Sequence, residues 1–453
     1  MNITQTIETV FRKVLPSPFT IAILLTLLTI SLAFFFTDST GSENHLFTIL
    51  GYWENGIWNN SLLVFAYQMM LILVLGHVLV LSKPVSKLIL LLTRMVTSTA
   101  SAAILVSIST MMVAFFNWGL GLIFGAILAR KVGEYAQQNG IKLNYPLVGA
   151  AGYVGLMVWH GGMSGSAPLK VAESGHLEKM LGSDMSSRLP DLISTSETVF
   201  SWWNLSIFAV LLICVPLFLR FISSKVKPTE LNLPEYQFET SEGKISGAEK
   251  LDHSKILAYV FGLIVLIFYG YKYGKDALDL NLGLNSLNFF MIGLAIVLHG
   301  SFSRFIKAVE EAIKGTSGIL IQFPLYFGIM GVMKSTGMVA DISDFFASVA
   351  TETTLPIFTF FSAGLVNIFV PSGGGQWAVQ GPIIVESALK LGVPLPKAIM
   401  ALAYGDQITN MLQPFWALPL LGITKLKARE ILPYTLLLMV LGSVVYILGL
   451  LLL

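Results

Sequence analysis

Charged positions along this 453-residue chain are sparse enough to leave long charge-free windows between short polar segments. The windows run 14–37, 55–82, 95–129, 143–169, 198–219, 256–271, 280–303, 315–333, 353–385, 407–424 and 431–453. A bilayer core of about 30 Å takes roughly 20 helical residues, so most windows read as single membrane spans. Two do not fit that length. Windows 95–129 and 353–385 hold 35 and 33 residues, too many for one span and too few for two with a turn. Each carries Gly and polar residues near its middle. They predict re-entrant helical hairpins whose tips end inside protein, because lipid offers free backbone groups no partners.

The order of these elements repeats. In residues 1–222, span 19–36, span 61–82, hairpin 95–129, interrupted helix 146–168 and span 199–222 follow one another. In residues 280–453 the matching elements are 285–300, 318–333, hairpin 353–385, interrupted helix 396–419 and 431–453. Asn117 and Asn367 are then 250 positions apart, and Ser164 and Asn410 are 246 apart. Segment 223–255, with Pro228, Pro234 and mixed Lys and Glu, reads as a solvated cytoplasmic linker. Helix 256–271 is left over and turns the second half over in the membrane. The expected fold is an all-α polytopic membrane protein with about nine spanning helices plus two re-entrant hairpins. Its inverted-topology repeat is the architecture of secondary transporters that bind near the midplane. Hairpins and broken helices would move together against the outer spans, as in an elevator-type transporter.

Composition agrees with burial in lipid. Apolar residues make up 55% and charged residues 12%, about half the usual charged share. Mean hydropathy is +0.75. A net charge of +2 is too small for a nucleic-acid surface, and the lone Cys214 rules out a disulfide framework or thiolate metal site. Arg12 and Lys13 precede the first window, and 20 of the 28 Lys and Arg fall on one side of the resulting topology. That asymmetry puts the N-terminus inside and the C-terminus outside. Stretch 19–36 is too long for a signal-peptide core and has no small-x-small site after it, so it is expected to stay.

Four polar breaks interrupt the apolar windows. The first hairpin has Phe116-Asn117-Trp118-Gly119-Leu120-Gly121, and the second has Asn367 followed by Val370-Pro371-Ser372-Gly373-Gly374-Gly375-Gln376-Trp377. Successive glycines cost a helix about 1 kcal/mol each relative to Ala. In return they expose backbone N–H groups at a helix start, where an anion can bind. Close helix packing through small residues is the competing reading for any single Gly. The third break is Trp159-His160-Gly161-Gly162-Met163-Ser164-Gly165-Ser166-Ala167-Pro168. The fourth is Asp406-Gln407-Ile408-Thr409-Asn410-Met411-Leu412-Gln413-Pro414. A carboxylate such as Asp406 costs roughly 2.5–3.5 kcal/mol at mid-helix, which marks it as functional by default; the alternative is a place near the mouth, close to Lys397, where it only orients the helix. His160 is a hydrogen-bonded structural group, the cation facing a carboxylate, or a proton carrier.

Enzyme signatures are missing. Gly162-Met163-Ser164-Gly165-Ser166 ends in Ser where a nucleophile elbow needs Gly. No phosphate loop is present, and no His or carboxylate cluster has metal-ligand spacing. No cofactor is expected. Two rivals to transport of an anion remain. One is a cation/proton antiporter using Asp406, and the other is a membrane acyl-chain hydrolase using Ser164 and His160.

The third break, the run Val370 to Pro382 and the run Gly405 to Trp416 together resemble the bacterial short-chain fatty acid transporter family. The resemblance covers essentially the whole chain. It implies uptake of short carboxylates such as acetoacetate or butyrate across the cytoplasmic membrane. More remotely the chain is similar to the ion-transporter superfamily that includes dicarboxylate:sodium symporters. It departs from that superfamily's Ser-Asn-Thr tips, having Asn117-Trp118-Gly119, Pro371-Ser372-Gly373 and Thr409-Asn410.

The expected function is symport of a short monocarboxylate with H+ or Na+. Backbone N–H groups of Gly373, Gly374 and Gly375 and the hydroxyls of Ser372, Ser164 and Ser166 would hold the carboxylate, with His160 beside them. Asp406, Asn117, Asn367 and Asn410 are the coupling-ion candidates, and Asn117, Thr409 and Asn410 can also serve the anion. Trp118, Trp377 and Phe415 would close around the aliphatic tail. No Arg falls inside a charge-free span, so the site consists of neutral dipoles. A homodimer is the expected assembly.

Overall fold

The computed structural model describes residues 16–38, 44–181, 189–233, 247–278 and 284–452. Arg12 and Lys13, which orient the N-terminus, lie outside the described residues, as does linker stretch 234–246 with Pro234. The first half runs α1 (Pro18–Phe36), α2 (His45–Ile57), α3 (Asn60–Leu81), α4 (Lys83–Thr93), α5 (Thr99–Phe116) and α6 (Trp118–Gln138). It continues with α7 (Tyr145–Ala151), a 3-10 turn at Val154–Met157, α8 (Ser166–Val171), α9 (His176–Leu181) and α10 (Trp202–Ser223). The short α11 (Glu249–Asp252) and the long α12 (Lys255–Leu278) join the halves. Then come α13 (Leu284–His299), α14 (Phe302–Ala312), α15 (Ser317–Ser335), α16 (Met338–Ser348), α17 (Leu355–Phe369) and α18 (Gly373–Leu391). The chain ends with α19 (Leu395–Thr409), a 3-10 turn at Asn410–Leu412, α20 (Pro414–Thr424) and α21 (Ala428–Leu452).

Among the described residues, seven helices are long and apolar enough to cross a membrane: α1, α3, α5, α10, α12, α15 and α21. The sequence predicts nine spans, and the difference has a physical source. Segments 146–168 and 396–419 are broken into short helices, and α13 has 16 residues. Helix α5 enters the seven as the first arm of a hairpin. No strand occurs among the described residues.

Both hairpins are longer than their charge-free windows. The arms of the first are α5 and α6, spanning 99–138 rather than 95–129, and those of the second are α17 and α18, spanning 355–391 rather than 353–385. Charges end a window but not a helix when they are paired. Arg130 Nε donates to Glu134 at 2.7 Å, and Lys131 Nζ donates to the same carboxylate at 2.7 Å. Arg130 is 3% exposed, so an Arg does sit inside the hairpin arm. It lies about 18 Å from the tip at 1.5 Å rise per residue.

The core is built around the hairpins and broken helices. Helix α6 packs on α5 and α20, and α17 packs on α19. The α17–α19 contact depends on Gly405, where an added Cβ would lie 2.1 Å from the Phe360 carbonyl oxygen. Small residues are what let membrane helices approach this closely. Helix α12, by contrast, packs on α13 and presents most of its surface outward. Short helices α4, α14 and α16 have one apolar and one polar face, and each carries 11 residues.

Candidate functional site

Each hairpin tip is a helix break closed by a capping side chain. Asn117 alone separates α5 from α6, and its Oδ1 accepts from Leu120 N–H at 3.0 Å. At the second tip, Val370-Pro371-Ser372 separate α17 from α18, and Ser372 Oγ accepts from Gly375 N–H at 3.2 Å. Capping role therefore pairs Asn117 with Ser372, not with Asn367. Asn367 lies within α17, two residues before its end.

The third break folds into tight turns between the 3-10 turn at 154–157 and α8. Gly165 permits this, because a Cβ there would lie 1.9 Å from the His160 carbonyl oxygen. The turns direct the His160 ring against Asp406 of α19, with Nδ1 donating to Oδ2. Both side chains are buried, at 0% and 1% exposure. The other ring nitrogen, Nε2, accepts from Ala167 N–H at 3.0 Å. An acceptor nitrogen carries no proton, so the bond from Ala167 places the ring hydrogen on Nδ1, facing Asp406.

Several residues fix this geometry, and the sequence reading assigned them no role. Gln407 Oε1 accepts from His160 N–H at 2.7 Å and Gly161 N–H at 3.1 Å. Its Nε2 donates to Tyr446 Oη at 2.8 Å, and Tyr446 donates onward to the Met157 carbonyl at 2.6 Å. Asn204 Nδ2 donates to the Gly161 carbonyl at 2.9 Å, and its Oδ1 accepts from Tyr404 Oη at 2.7 Å. The available signal was their polarity within apolar windows, where unpaired amides and hydroxyls are expensive.

The second tip sits on the His160–Asp406 pair. An added Cβ at Gly373 would meet His160 Cε1 and the Trp159 ring, each at 2.8 Å, and Asp406 Oδ2 at 3.2 Å. Gly374 is exposed beside Ser166, whose Oγ would lie 3.8 Å from an added Cβ. A cavity of about 520 Å3 opens there, lined by Ser164, Ser166, Gly374 and Trp377 together with Lys170 and His176. Trp377 Nε1 donates to His176 Nε2 at 3.0 Å across its wall. The start of α18 supplies the N–H groups of Gly373 and Gly374, which lie too early in the helix for intrahelical acceptors. Gly374, which lines the cavity, and the Ser166 hydroxyl give it neutral donors suited to a carboxylate, while Gly373 is buried against the His160–Asp406 pair.

Other predicted site residues stand elsewhere. Trp118 packs against Trp159 and Trp416 at ring separations of 5.9 and 5.2 Å, and its backbone N–H donates to Ser164 Oγ at 2.9 Å. Phe415 stacks on Phe323 at 3.9 Å in the core. Neither ring lines the cavity. Asn367 Nδ2 is within 2.9 Å of the Asp406 carbonyl and of Thr409 Oγ1, and 2.8 Å from Asn410 Oδ1. Asn367, Thr409 and Asn410 thus tie the second hairpin to the fourth break. Gln413 Nε2 adds bonds to the Asn367 and Ile368 carbonyls at 2.6 and 2.8 Å.

At the cavity mouth the charges are outside the spans. Lys170 Nζ donates to both Glu173 oxygens, at 2.8 and 3.1 Å. That bond holds the Glu173 carboxyl below its usual range. Burial lowers the His176 imidazole pKa, and Glu173 partly offsets it. The hydrolase geometry is not formed. Ser164 Oγ faces Trp118 N–H, and the ring nitrogen a serine would need is taken by Ala167.

A multi-pass helical chain with discontinuous helices meeting around a buried His–Asp pair is a membrane transporter, and sequence comparison gives its family. The sequence profile of the short chain fatty acid transporter family matches residues 1–453, so the chain belongs to that family. A Haemophilus influenzae protein named for short-chain fatty acid transport is 36% identical, with 99% of both chains covered. An Escherichia coli protein of the same name is 35% identical over 96% of both. These relatives are named as transporters and not as enzymes. Two solved structures are more distant. The Neisseria gonorrhoeae MtrF chain, described with a class of antimetabolite efflux pumps, is 17% identical at TM-score 0.41, covering 96% of this chain and 95% of that one. The Alcanivorax borkumensis YdaH transporter is 14% identical at TM-score 0.41, covering 96% and 98%.

Proposed function

We propose that the protein carries short-chain monocarboxylates of the acetoacetate or butyrate class across the cytoplasmic membrane in symport with H+. The observation that supports H+ as the ion is the buried hydrogen bond between the Asp406 carboxyl and the His160 imidazole, two groups of the kind that carry protons. The substrate carboxylate sits on the Gly374 N–H group and the hydroxyls of Ser164 and Ser166, with Trp377 along its aliphatic tail. One proton on Asp406 and one carboxylate in the cavity make the loaded site electrically the same as the empty, deprotonated one. A site of neutral donors suits modest affinity and rapid release.

The halves 1–222 and 280–453 act in this reading as an inverted repeat. The N-terminus is inside and the C-terminus outside. The hairpins and broken helices travel together past the outer spans, in a homodimer. Two mirror-related tips then gate one site from opposite faces. The antiporter reading gains no support from geometry, since the partner of Asp406 is an imidazole and not a second carboxylate.

Labelled butyrate flux into proteoliposomes tests this directly. A pH gradient, and not a sodium gradient, is expected to drive accumulation. Asp406→Asn should abolish that accumulation while butyrate exchange at equilibrium continues. Full coupling retained in the Asp406→Asn, His160→Gln double variant would show that the pair carries no ion.

A further inference from the structure

Helix α8 displays Ser166 and Lys170 four residues apart, which places them on one face at about 5–6 Å between Cβ atoms. Both line the same cavity, Ser166 deeper beside Gly374 and Lys170 at the rim. The Lys170 side chain is 50% exposed and is held by Glu173, itself 58% exposed. An exposed pair of this kind contributes little stability, so a second carboxylate replaces Glu173 at small cost. The bonds broken and formed are alike, ammonium to carboxylate in both cases.

We propose that Lys170 is a recruiting subsite for the substrate carboxylate, and that Glu173 is the internal carboxylate it displaces. The inference rests on the carboxylate reading above. An incoming anion leaves water at the rim, pairs with Lys170 in place of Glu173, and moves one helical turn along α8 to Ser166 and the Gly374 N–H. The cation stays at the mouth, so the deeper site remains neutral and release on the far side is not slowed by an ion pair.

The two partners then have opposite effects on substrate affinity, which a merely structural ion pair cannot produce. In butyrate uptake by proteoliposomes, Lys170→Gln is expected to raise KM about threefold, and Glu173→Gln to lower it. Lys170→Arg should restore the ordinary KM. High KCl should raise the KM of the unmodified protein and leave that of Lys170→Gln flat, because exposed charges are screened by salt. An unchanged KM in Lys170→Gln, or shifts of the same sign in both variants, overturns the subsite while the carboxylate reading stands. If the unmodified protein moves no short-chain monocarboxylate at all, both fall together.

Discussion

At the first hairpin tip Asn117 caps α6, and at the second Ser372 caps α18, each accepting from the N–H three residues on. The surroundings of these two caps differ. Around Asn117 the chain is fastened on every side: Met163 N–H donates to the Phe115 carbonyl at 2.7 Å, Trp118 N–H reaches Ser164, and the Trp118 ring is wedged among Phe65, Trp159 and Trp416. Around Ser372 a three-glycine face lies between a buried His–Asp pair and an open cavity. The difference teaches that a shared capping device does not imply a shared task. The first tip is a packed joint, and the second is the surface that meets substrate in the proposed function.

The sharpest way to break this comparison is to add one methyl group to each tip. At Gly121 the new Cβ would lie 2.4 Å from Ala114 Cα, and backbone cannot yield. Gly121→Ala should therefore lower stability by about 1–3 kcal/mol. Thermal unfolding in detergent would detect it, and uptake per folded molecule should stay normal. At Gly373 the methyl group would press on His160 and Trp159 instead. Gly373→Ala is expected to fold and to lose about tenfold in uptake, the rate equivalent of roughly 1.4 kcal/mol. Gly119→Ala, at the first tip with no atom nearer than 3.6 Å to the added Cβ, is the control and should retain both stability and uptake. If Gly373→Ala loses stability rather than transport, the second tip is a joint like the first.

The mildest test concerns the wall of the open cavity. Trp377 donates to His176 only while Nε2 is unprotonated. Burial lowers the His176 pKa from its ordinary 6.5, so the folded form prefers the neutral ring. The contact is complete above pH 6.5 and is lost as pH falls from there through the lowered value. Tryptophan fluorescence should follow that loss in the unmodified protein and be flat over the same range in His176→Gln.

Much of this arrangement was legible in the chain because lipid penalises what water forgives. Charge-free windows located the long helices, and the glycines, Asn117, Pro371 and Pro414 marked where helices stop. Paired charges were not legible as buried: Arg130 and Glu134 closed a window that the helix simply continues through. The amphipathic helices α4, α14 and α16 were hidden for the opposite reason, since their polar faces read as loop. At the site, the Ser, Gly and Asp residues were conspicuous, but the partners were not. Nothing in the local sequence joins His160 to Asp406, or Gln407 to Tyr446. Lys170 carries no such signal, because it lies one residue beyond an apolar window.

Asn367 has a consequence for how the second hairpin is held to α19. Its amide nitrogen carries two hydrogens and has three acceptors within 2.9 Å, on Asp406, Thr409 and Asn410. One acceptor is always left waiting. Exchange among the three proceeds without a net loss of bonds, so thermal motion at this joint re-partners the amide while α17 stays fastened to α19. The joint holds by redundancy rather than by any single bond.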